Sequence, residues 1–147
     1  MSILIKISVE EDANAIARIE DEAFSVPWSV DSFKNAIKSQ NYIYITAFND
    51  DMIVGYAGCT VVGEEGDITN IAVDKKYRRS GIGETLLKKL LAEADRSGIT
   101  QIFLEVRESN IAAQALYSKA GFEKIGVRRN FYQKPIEDAY LMKWTKK

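Results

Sequence analysis

The sequence predicts an α/β fold in which a mixed, mostly antiparallel sheet is flanked by helices, in the order βααβββαβαββ. Short segments rich in β-branched and aromatic residues recur along the chain and are separated by turn residues, which is typical of strands. Between some of them, apolar residues recur at steps of three and four, the period of a helix. Strands joined by short turns pair antiparallel, whereas a strand–helix–strand connection is expected to be a right-handed crossover.

The bulk composition is that of an ordinary globular protein. The chain is 46% hydrophobic and 28% charged, which favours a single folded domain over residues 1–147. The formal net charge of −1 argues against a nucleic-acid partner. No apolar run approaches the roughly 18 residues of a membrane span, and the N-terminus lacks the layout of a signal peptide. We therefore expect no membrane partner and a cytoplasmic location.

The sequence contains one cysteine and no histidine. A lone cysteine excludes an internal disulfide. Without histidine, the usual zinc ligands and the Ser-His-Asp and Cys-His pairs are missing. No metal is therefore expected, and acid–base chemistry must fall to Glu, Asp, Tyr, Lys or Cys. Cys59 lies in an apolar strand with no visible base, so we expect a buried, inert thiol.

The first third of the chain predicts one strand and two helices. Ile3–Ile7 is a short apolar strand, and Ser8–Glu11 matches a capping box. The inner residues of the first helix are Ala13, Ile16, Ala17, Ile19, Ala23 and Phe24. Pro27 ends this helix, and Ser29 can cap the second. The inner residues of the second helix are Phe33, Ala36 and Ile37.

Three consecutive strands follow. Tyr42–Phe48 and Met52–Val62 are joined by a turn at residues 49–51. A second turn, Gly63–Gly66, leads into a strand that ends at Val73. Because only turns separate these strands, we expect them to pair antiparallel.

The stretch Asp67–Gly83 organises the chain, because a strand there runs through a glycine turn into a helix. The apolar stripe of that helix is Ile82, Leu86, Leu87, Leu90, Leu91 and Ala94. Glycines let a ligand approach the backbone, and free N–H groups at a helix start favour a phosphate. The turn is neither a Walker A loop nor a Rossmann fingerprint, and a glycine needed only for geometry remains an alternative.

Residues 100–106 predict a strand that is nearly all apolar, as expected for a strand covered on both faces. Glu105 is the exception within it. A carboxylate among apolar neighbours loses hydration and holds a proton more readily, which suits a general base near neutral pH. An ion pair with Arg107 or another cation is the structural alternative.

The end of the chain predicts one helix and two strands. Asn110 can cap a helix over Ile111–Ala120. Phe122–Val127 and Ala139–Trp144 are the final strands, and residues 128–132 lie in the loop between them.

Two aromatic residues each have two interpretations. Trp28, in the loop between the first two helices, either closes the end of the core or lines a substrate groove. Tyr117 lies beside the inner stripe of its helix, so it is either a half-buried core tyrosine or a phenol that gives a proton to a ligand.

Several segments resemble the GCN5-related N-acetyltransferase (GNAT) family. They are Arg78-x-x-Gly81-x-Gly83, Leu104-Glu105-Val106-Arg107-x-Ser109-Asn110 and Asn110-x-x-Ala113-x-x-Leu116-Tyr117-x-x-x-Gly121-Phe122. The chain as a whole is similar to the ribosomal-protein-alanine (RimI-type) branch, including Pro27-Trp28-Ser29 and Arg128-Arg129-Asn130-Phe131-Tyr132. The resemblance implies a GNAT-type fold, whose element order agrees with the order predicted above.

The resemblance implies that acetyl-coenzyme A binds as co-substrate and that no metal is needed. The residues that match the family's cofactor contacts are Ile71, Ala72, Val73, Arg78, Arg79, Ser80, Gly81, Ile82, Gly83, Glu84, Asn110 and Tyr117. Because Glu84 follows the glycine turn directly, we expect its carboxylate to point away from the phosphates.

The resemblance also implies the chemistry. Glu105 would accept a proton from the attacking amine, and Tyr117 would protonate the departing thiolate. Main-chain N–H groups from Ile71 to Val73, freed by a splayed sheet, would stabilise the oxyanion.

The acceptor implied by the resemblance is the N-terminal α-amine of a protein, with a ribosomal protein as the partner. Trp28 and Tyr132 would flank the acceptor groove. Two alternatives stay open. An enzyme for a small amine, such as an aminoglycoside or polyamine, would need clustered acidic residues at the acceptor mouth. A non-catalytic acyl-coenzyme A sensor would need neither Glu105 nor Tyr117. The sequence does not predict the oligomeric state.

Overall fold

The structure, a computed structural model, describes residues 2–147 and confirms the predicted order of elements. The strands β1 to β7 are Ile3–Ile7, Tyr42–Asn49, Met52–Val62, Glu65–Val73, Gln101–Arg107, Glu123–Tyr132 and Glu137–Thr145. The helices α1 to α4 are Ala13–Ala23, Val30–Lys38, Ile82–Arg96 and Ile111–Lys119. No helix in this described range is long and apolar enough to cross a membrane.

The strands form one seven-stranded sheet in the order β1-β2-β3-β4-β5-β7-β6. Neighbouring strands pair antiparallel except β4 and β5, which are parallel because α3 carries the chain back between them. A mixed, mostly antiparallel sheet with helices packed on it confirms the predicted fold class.

The strands β4 and β5 pair only where they begin. Their register runs from Glu65–Gln101 to Asp67–Phe103 and covers three residue pairs. Beyond Asp67 the two strands diverge, although β4 stays paired with β3 as far as Val73. The sheet therefore opens between β4 and β5.

An extra residue in β4 marks the point of divergence. Ile68 and Asn70 have partners in β3, whereas Thr69 between them has none, which is a β-bulge. The bulge reverses the side-chain alternation. Ile68 packs in the cluster around α3, but Ala72 packs in the cluster around α1 and α2.

Two apolar clusters cover the two faces of the sheet. The fully buried residues of the α3 stripe are Ile82, Leu86, Leu87, Leu90 and Ala94, while Leu91 is half-buried. The cluster around α1 and α2 consists of Ala13, Ile16, Ala17, Ile19, Phe33, Ala36, Tyr44, Tyr56 and Ala72. Cys59 is buried in the α3 cluster, as predicted, and burial raises the pKa of its thiol to about 12.

The helix signals in the sequence work as predicted at two positions. Ser29 Oγ accepts a hydrogen bond from the Ser32 N–H at 3.1 Å and caps α2. Asn110 Oδ1 accepts from the Ala113 N–H at 3.1 Å and caps α4. Gly121, with φ of +105°, lies just beyond the end of α4.

Two predicted details of the first helix are wrong. Ser8 forms no capping box, because its hydroxyl is hydrogen-bonded to Thr46 Oγ1 at 2.6 Å. Instead, the Asp12 carboxylate accepts from the Val9 N–H at 3.0 Å. Phe24 is 41% exposed rather than directed inward, because α1 ends at the preceding residue and the backbone becomes extended.

Two predicted details of the later strands are also wrong. β5 is not covered on both faces, because Ile102, Leu104 and Val106 are buried while the residues between them are only half-buried. Residues 128–132, expected in a loop, continue β6, and Tyr132 pairs with Glu137 of β7.

The close packing at the bulge makes Gly58 intolerant of a side chain. We expect Gly58→Ala to lower the free energy of unfolding by about 1–3 kcal/mol, the usual range for overpacking a core. A Cβ at Gly58 would overlap the Tyr44 ring. That ring cannot swing away, because its hydroxyl donates to Asn70 Oδ1 at 2.7 Å. Gly126→Ala is the control, since a Cβ there meets no atom within 4 Å. Equal stability of the two variants in urea unfolding would contradict this account.

Candidate active site

The opening between β4 and β5 exposes main-chain amides. The Asp74 N–H donates to the Val54 carbonyl oxygen of β3 at 2.8 Å. Because amide directions alternate along a strand, the N–H groups of Val73 and Ile71 point the other way, towards β5. β5 is not paired with β4 at this level. These two amides therefore face the opening and can donate to a ligand.

The end of β4 is joined to the turn that follows it. Arg78 Nε donates to the Val73 carbonyl oxygen at 3.1 Å. The Asp74 carboxylate accepts from the Lys76 N–H at 3.0 Å and from Arg18 at 3.4 Å. The Lys76 N–H and, to a smaller extent, Arg18 lower the pKa of Asp74. These contacts hold the turn against both β4 and α1.

The start of α3 is a helix N-terminus with no side-chain cap. Gly81 has φ of +86°, a left-handed conformation that favours glycine. The Thr85 N–H donates to the Gly81 carbonyl oxygen at 3.1 Å, and no side chain caps the N–H groups before it. The N–H groups of Ile82, Gly83 and Glu84 are thus left to a ligand, and the helix dipole favours an anion there.

The charges around this turn suit an anion. Arg79 and Ser80 are exposed immediately before the helix. The Glu84 carboxylate lies 3.2 Å from Lys88 Nζ and 3.3 Å from Lys119 Nζ. These two ammonium groups, Lys88 first, lower the pKa of Glu84. The negative charge of Glu84 is therefore paired between α3 and α4.

Glu105 lies on the half-open face of β5 and forms an ion pair. Arg128 of β6 donates from Nε to Glu105 Oε2 at 3.1 Å, so the partner is Arg128 rather than Arg107. Oε1 of Glu105 has no hydrogen-bond partner within the described chain, and the side chain is 23% exposed. One carboxylate oxygen is thus held in place while the other can accept a proton.

Arg107 instead holds the β6–β7 turn. Its guanidinium donates to the carbonyl oxygens of Gln133 at 2.9 Å and Pro135 at 3.0 Å, and it pairs with Glu137 at 3.0 Å. The Glu137 carboxylate also accepts from the Ser109 N–H at 2.6 Å. The hydrogen bonds from Ser109 and then the Arg107 charge lower the pKa of Glu137.

Tyr132 packs against the guanidinium of Arg107. The Arg107 guanidinium is 4.4 Å from the centroid of the Tyr132 ring. Burial, and then the charge of Glu105, raises the pKa of Tyr132 to about 12. The Tyr132 hydroxyl therefore stays protonated near neutral pH.

Tyr117 of α4 has a buried ring and an unpartnered hydroxyl. The residue is 7% exposed, and its ring centroid is 5.7 Å from that of Phe122. Burial, and then neighbouring Tyr132, raises the pKa of Tyr117. Its hydroxyl makes no hydrogen bond within residues 2–147, where every fully buried side-chain polar atom has a partner. The Tyr117 oxygen is therefore not completely buried, and the residue combines a core ring with a hydroxyl that no protein group binds.

Trp28 belongs to an aromatic cluster at the end of the core. Its ring centroid lies between 5.4 and 6.5 Å from those of Phe33, Tyr42 and Tyr44. Because Trp28 is only half-buried, it both closes the core and keeps an accessible side. In the same loop, Ser25 Oγ donates to the Gln133 carbonyl oxygen at 3.4 Å. This contact brings the α1–α2 loop to the turn that follows Tyr132.

Glu20 of α1 is a buried carboxylate that the sequence pattern did not single out. It is 2% exposed and accepts hydrogen bonds from the Trp28 N–H, the Asn70 side-chain amide and the Tyr56 hydroxyl. The sequence could have indicated that Glu20 is buried, because it lies four residues after Ile16 on the apolar stripe of α1. A charge on such a stripe needs polar partners.

Several of the predicted residues lie on β4, β5 and the helices α3 and α4 that follow these two strands. The amides of β4 and the open start of α3 can bind an oxyanion and a phosphate, while Glu105 and Tyr117 can accept and donate a proton. Asn110 uses its side-chain oxygen to cap α4, which leaves its NH₂ group available. In residues 2–147 no three Cys, His, Asp or Glu side chains lie close enough to hold a metal ion.

Comparison with known proteins gives consistent matches. A family model described as the acetyltransferase (GNAT) family matches residues 13–122. A ribosomal protein bS18-alanine N-acetyltransferase of Haemophilus influenzae is 37% identical over 145 residues, which cover 97% of each chain. The crystal structure of the ribosomal-protein-S18-alanine N-acetyltransferase from Escherichia coli has a TM-score of 0.90 and 34% identity, and covers 98% of this chain and 94% of that one. A chain of the NatC complex bound to Gag peptide and CoA shares the fold, with a TM-score of 0.90, 22% identity and 100% coverage of both chains.

Proposed function

This chain belongs to the acetyltransferase (GNAT) family, and we propose that it transfers the acetyl group of acetyl-coenzyme A to the N-terminal α-amine of a protein. A ribosomal protein is the proposed acceptor. The observation that carries the proposal is the opening between β4 and β5, which has free amides on one side and Glu105 on the other. The proposal treats residues 1–147 as one catalytic domain in the cytoplasm.

The proposed cofactor contacts follow the geometry of the opening. The open N–H groups of α3 and the exposed Arg79 and Ser80 suit the phosphates. The contact residues are Ile71, Ala72, Val73, Arg78, Arg79, Ser80, Gly81, Ile82, Gly83, Glu84, Asn110 and Tyr117. The residues present fit the cofactor, because the helix start is uncapped and the charge of Glu84 is already paired. When bound, acetyl-coenzyme A supplies an activated acetyl thioester.

The chain's own residues would handle the protons. Glu105 accepts the proton that the α-amine must lose to attack, either directly on its free Oε1 or through one water. The N–H groups of Ile71 and Val73 donate to the oxygen on which negative charge develops, and they need no reorganisation to do so. Tyr117 donates its proton to the sulfur as the carbon–sulfur bond breaks, and solvent later returns that proton. Direct attack in a ternary complex needs no covalent enzyme intermediate.

The acceptor would bind between two loops that touch each other. Trp28 lies on the α1–α2 loop and Tyr132 at the end of β6, and the contact from Ser25 to Gln133 joins their surroundings. A peptide N-terminus could enter between them and present its amine to Glu105. The relatives that are named for acetylating a ribosomal protein at alanine support this class of acceptor.

The alternatives have less support. A small-amine enzyme would need an acidic acceptor mouth, but the compact acidic run Glu64-Glu65-Asp67 is exposed at the turn between β3 and β4 and the start of β4. A non-catalytic sensor would need neither the free carboxylate oxygen of Glu105 nor the unpartnered hydroxyl of Tyr117.

A thiol-release assay with acetyl-coenzyme A tests the proposed function. The acceptors are peptides that begin with Ala, Ser or Met, an acetyl-blocked Ala peptide, spermidine and an aminoglycoside, with products identified by mass. We expect acetylation of the free Ala peptide and none of the blocked one, because only a free α-amine can attack. Turnover confined to the small amines would overturn the acceptor class. Tight coenzyme A binding with no turnover on any acceptor would favour the sensor.

The role of Tyr117 is tested by Tyr117→Phe. We expect kcat to fall by about 100-fold or more, the usual contribution of a positioned general acid. Coenzyme A binding should largely survive, because the buried ring stays in place. Tyr140→Phe is the control. Tyr140 lies on β7, which does not border the opening between β4 and β5, and Lys124 Nζ lies 3.6 Å from the centroid of its ring. Unchanged turnover of Tyr117→Phe would remove this residue from the mechanism.

The cofactor site is tested by a pair of glycines at the two ends of α3. Gly81 and Gly98 both have φ of +86°, and a Cβ at either would meet no atom within 4 Å. Each change to Ala should therefore cost a similar roughly 1–2 kcal/mol of stability. Only Gly81→Ala should also weaken coenzyme A binding, by about tenfold if one amide contact to phosphate is lost. Calorimetric titration with coenzyme A separates the two effects, and equal affinities would argue against a phosphate site at Gly81.

A further inference from the structure

Glu20 is a buried carboxylate with no cationic partner. Its exposed fraction is 2%, and none of the ion pairs in residues 2–147 includes it. Removing a charge from water is costly unless hydrogen bonds compensate for the lost hydration. Such a group on the apolar stripe of α1 therefore needs an explanation beyond packing.

The partners of Glu20 are all donors. The Trp28 N–H donates to Oε2 at 2.9 Å, and the Asn70 Nδ2 donates to Oε1 at 3.1 Å and to Oε2 at 3.3 Å. The Tyr56 hydroxyl donates to Oε1. Burial, and then the charge of Glu20, raises the pKa of Tyr56, so this phenol keeps its proton. An acceptor surrounded only by donors is best satisfied as an ionised carboxylate.

The donors come from different parts of the site. Trp28 lies on the α1–α2 loop, which is proposed to flank the acceptor, and Tyr56 lies on β3. Asn70 lies on β4 next to the bulge and directly before Ile71, whose amide faces the opening. One side chain thus links the acceptor loop to the strand that would hold the oxyanion.

Hydrogen bonds to its side-chain oxygen fix the orientation of the Asn70 amide. The Tyr44 hydroxyl and Thr69 Oγ1 each donate to Asn70 Oδ1 at 2.7 Å. The oxygen of the amide is therefore fixed towards Tyr44 and Thr69, and its NH₂ group is fixed towards Glu20. The hydrogen bonds form a directed chain that ends on the carboxylate, and such chains are cooperative.

We propose that Glu20 is a positioning residue for acyl transfer, which holds Trp28 and the β4 bulge in the geometry that the acceptor and the oxyanion require. This inference rests on the proposed function. Glu20 touches neither substrate. It acts through Trp28, whose main-chain N–H it fixes, and through Asn70, which sets the course of β4 towards Ile71. A neutral amide of the same shape fits less well, because its NH₂ group would face the Asn70 NH₂ group or the Trp28 N–H.

Glu20→Gln tests the proposal, with Asp12→Asn as the matched control. Asp12 is also a buried carboxylate at the start of α1, but it accepts from the Val9 N–H at 3.0 Å and from Thr46 at 3.2 Å, outside the Glu20 network. We expect Glu20→Gln to raise KM for the free Ala peptide by about tenfold and to lower kcat, as for the loss of a hydrogen bond to a charged group. The coenzyme A dissociation constant should change less than about twofold, because the phosphates would lie at the other end of the opening. Asp12→Asn should lose stability without changing the KM for the peptide.

A second variant and a second readout protect the test against misfolding. Tyr56→Phe keeps the shape of a fully buried ring and removes one donor from Glu20. It should raise the peptide KM by a smaller factor than Glu20→Gln. Hydrogen exchange at the Trp28 amide should accelerate in both variants relative to the wild type and to Asp12→Asn, because that amide donates to the carboxylate.

The outcomes separate the inference from the proposed function. No acetylation of any peptide by the wild type overturns the proposed function, and Trp28 amide exchange then still reports whether Glu20 holds the loop. Active wild type with unchanged peptide KM in Glu20→Gln overturns the inference alone. If Glu20→Gln does not fold, an unchanged peptide KM and Trp28 exchange in Tyr56→Phe overturn it instead. Equal losses of peptide and coenzyme A affinity also overturn it, because they indicate a general structural role.

Discussion

The separation of β4 from β5 is the constraint on which the rest of this molecule depends. Parallel strands normally satisfy each other's amides along their whole length, yet here the pairing stops at Asp67. The bulge at Thr69 gives β4 a different course while its pairing with β3 continues. The amides of Ile71 and Val73 are left facing an opening, and a helix start without a cap lies just beyond them. A ligand can therefore be bound largely by the backbone.

Such an opening in a sheet must be held by contacts elsewhere. On one side, the network around Glu20 ties the bulge to α1 and to the loop of Trp28. On the other side, Arg107 ties the β6–β7 turn to the end of β5 through Glu137. Both sets of contacts join segments that are far apart in sequence. The two segments that would flank the acceptor are thus held by buried or half-buried polar groups and not by the apolar clusters alone.

The two carboxylates to which roles are proposed, Glu20 and Glu105, differ in their surroundings. Glu20 is buried and satisfied by neutral donors, whereas Glu105 is partly exposed and keeps one oxygen free beside Arg128. The first arrangement suits a fixed charge that organises its neighbours. The second suits a group that exchanges a proton with a substrate. Tyr117 and Tyr132 remain protonated because burial raises the pKa of both phenols.

The sequence by itself determined the elements and most of their boundaries, because periodicity, caps and turns are local properties. The α3 stripe, the Ser29 cap and the glycine turn before Gly83 could all be predicted from neighbouring residues. The contacts between distant strands decided the rest. The sequence offered Arg107 as the nearest cation to Glu105, but strand pairing brought Arg128 to it instead. Two donors around Glu20, Tyr56 and Asn70, likewise lie 36 and 50 residues away along the chain, so only tertiary structure could place them.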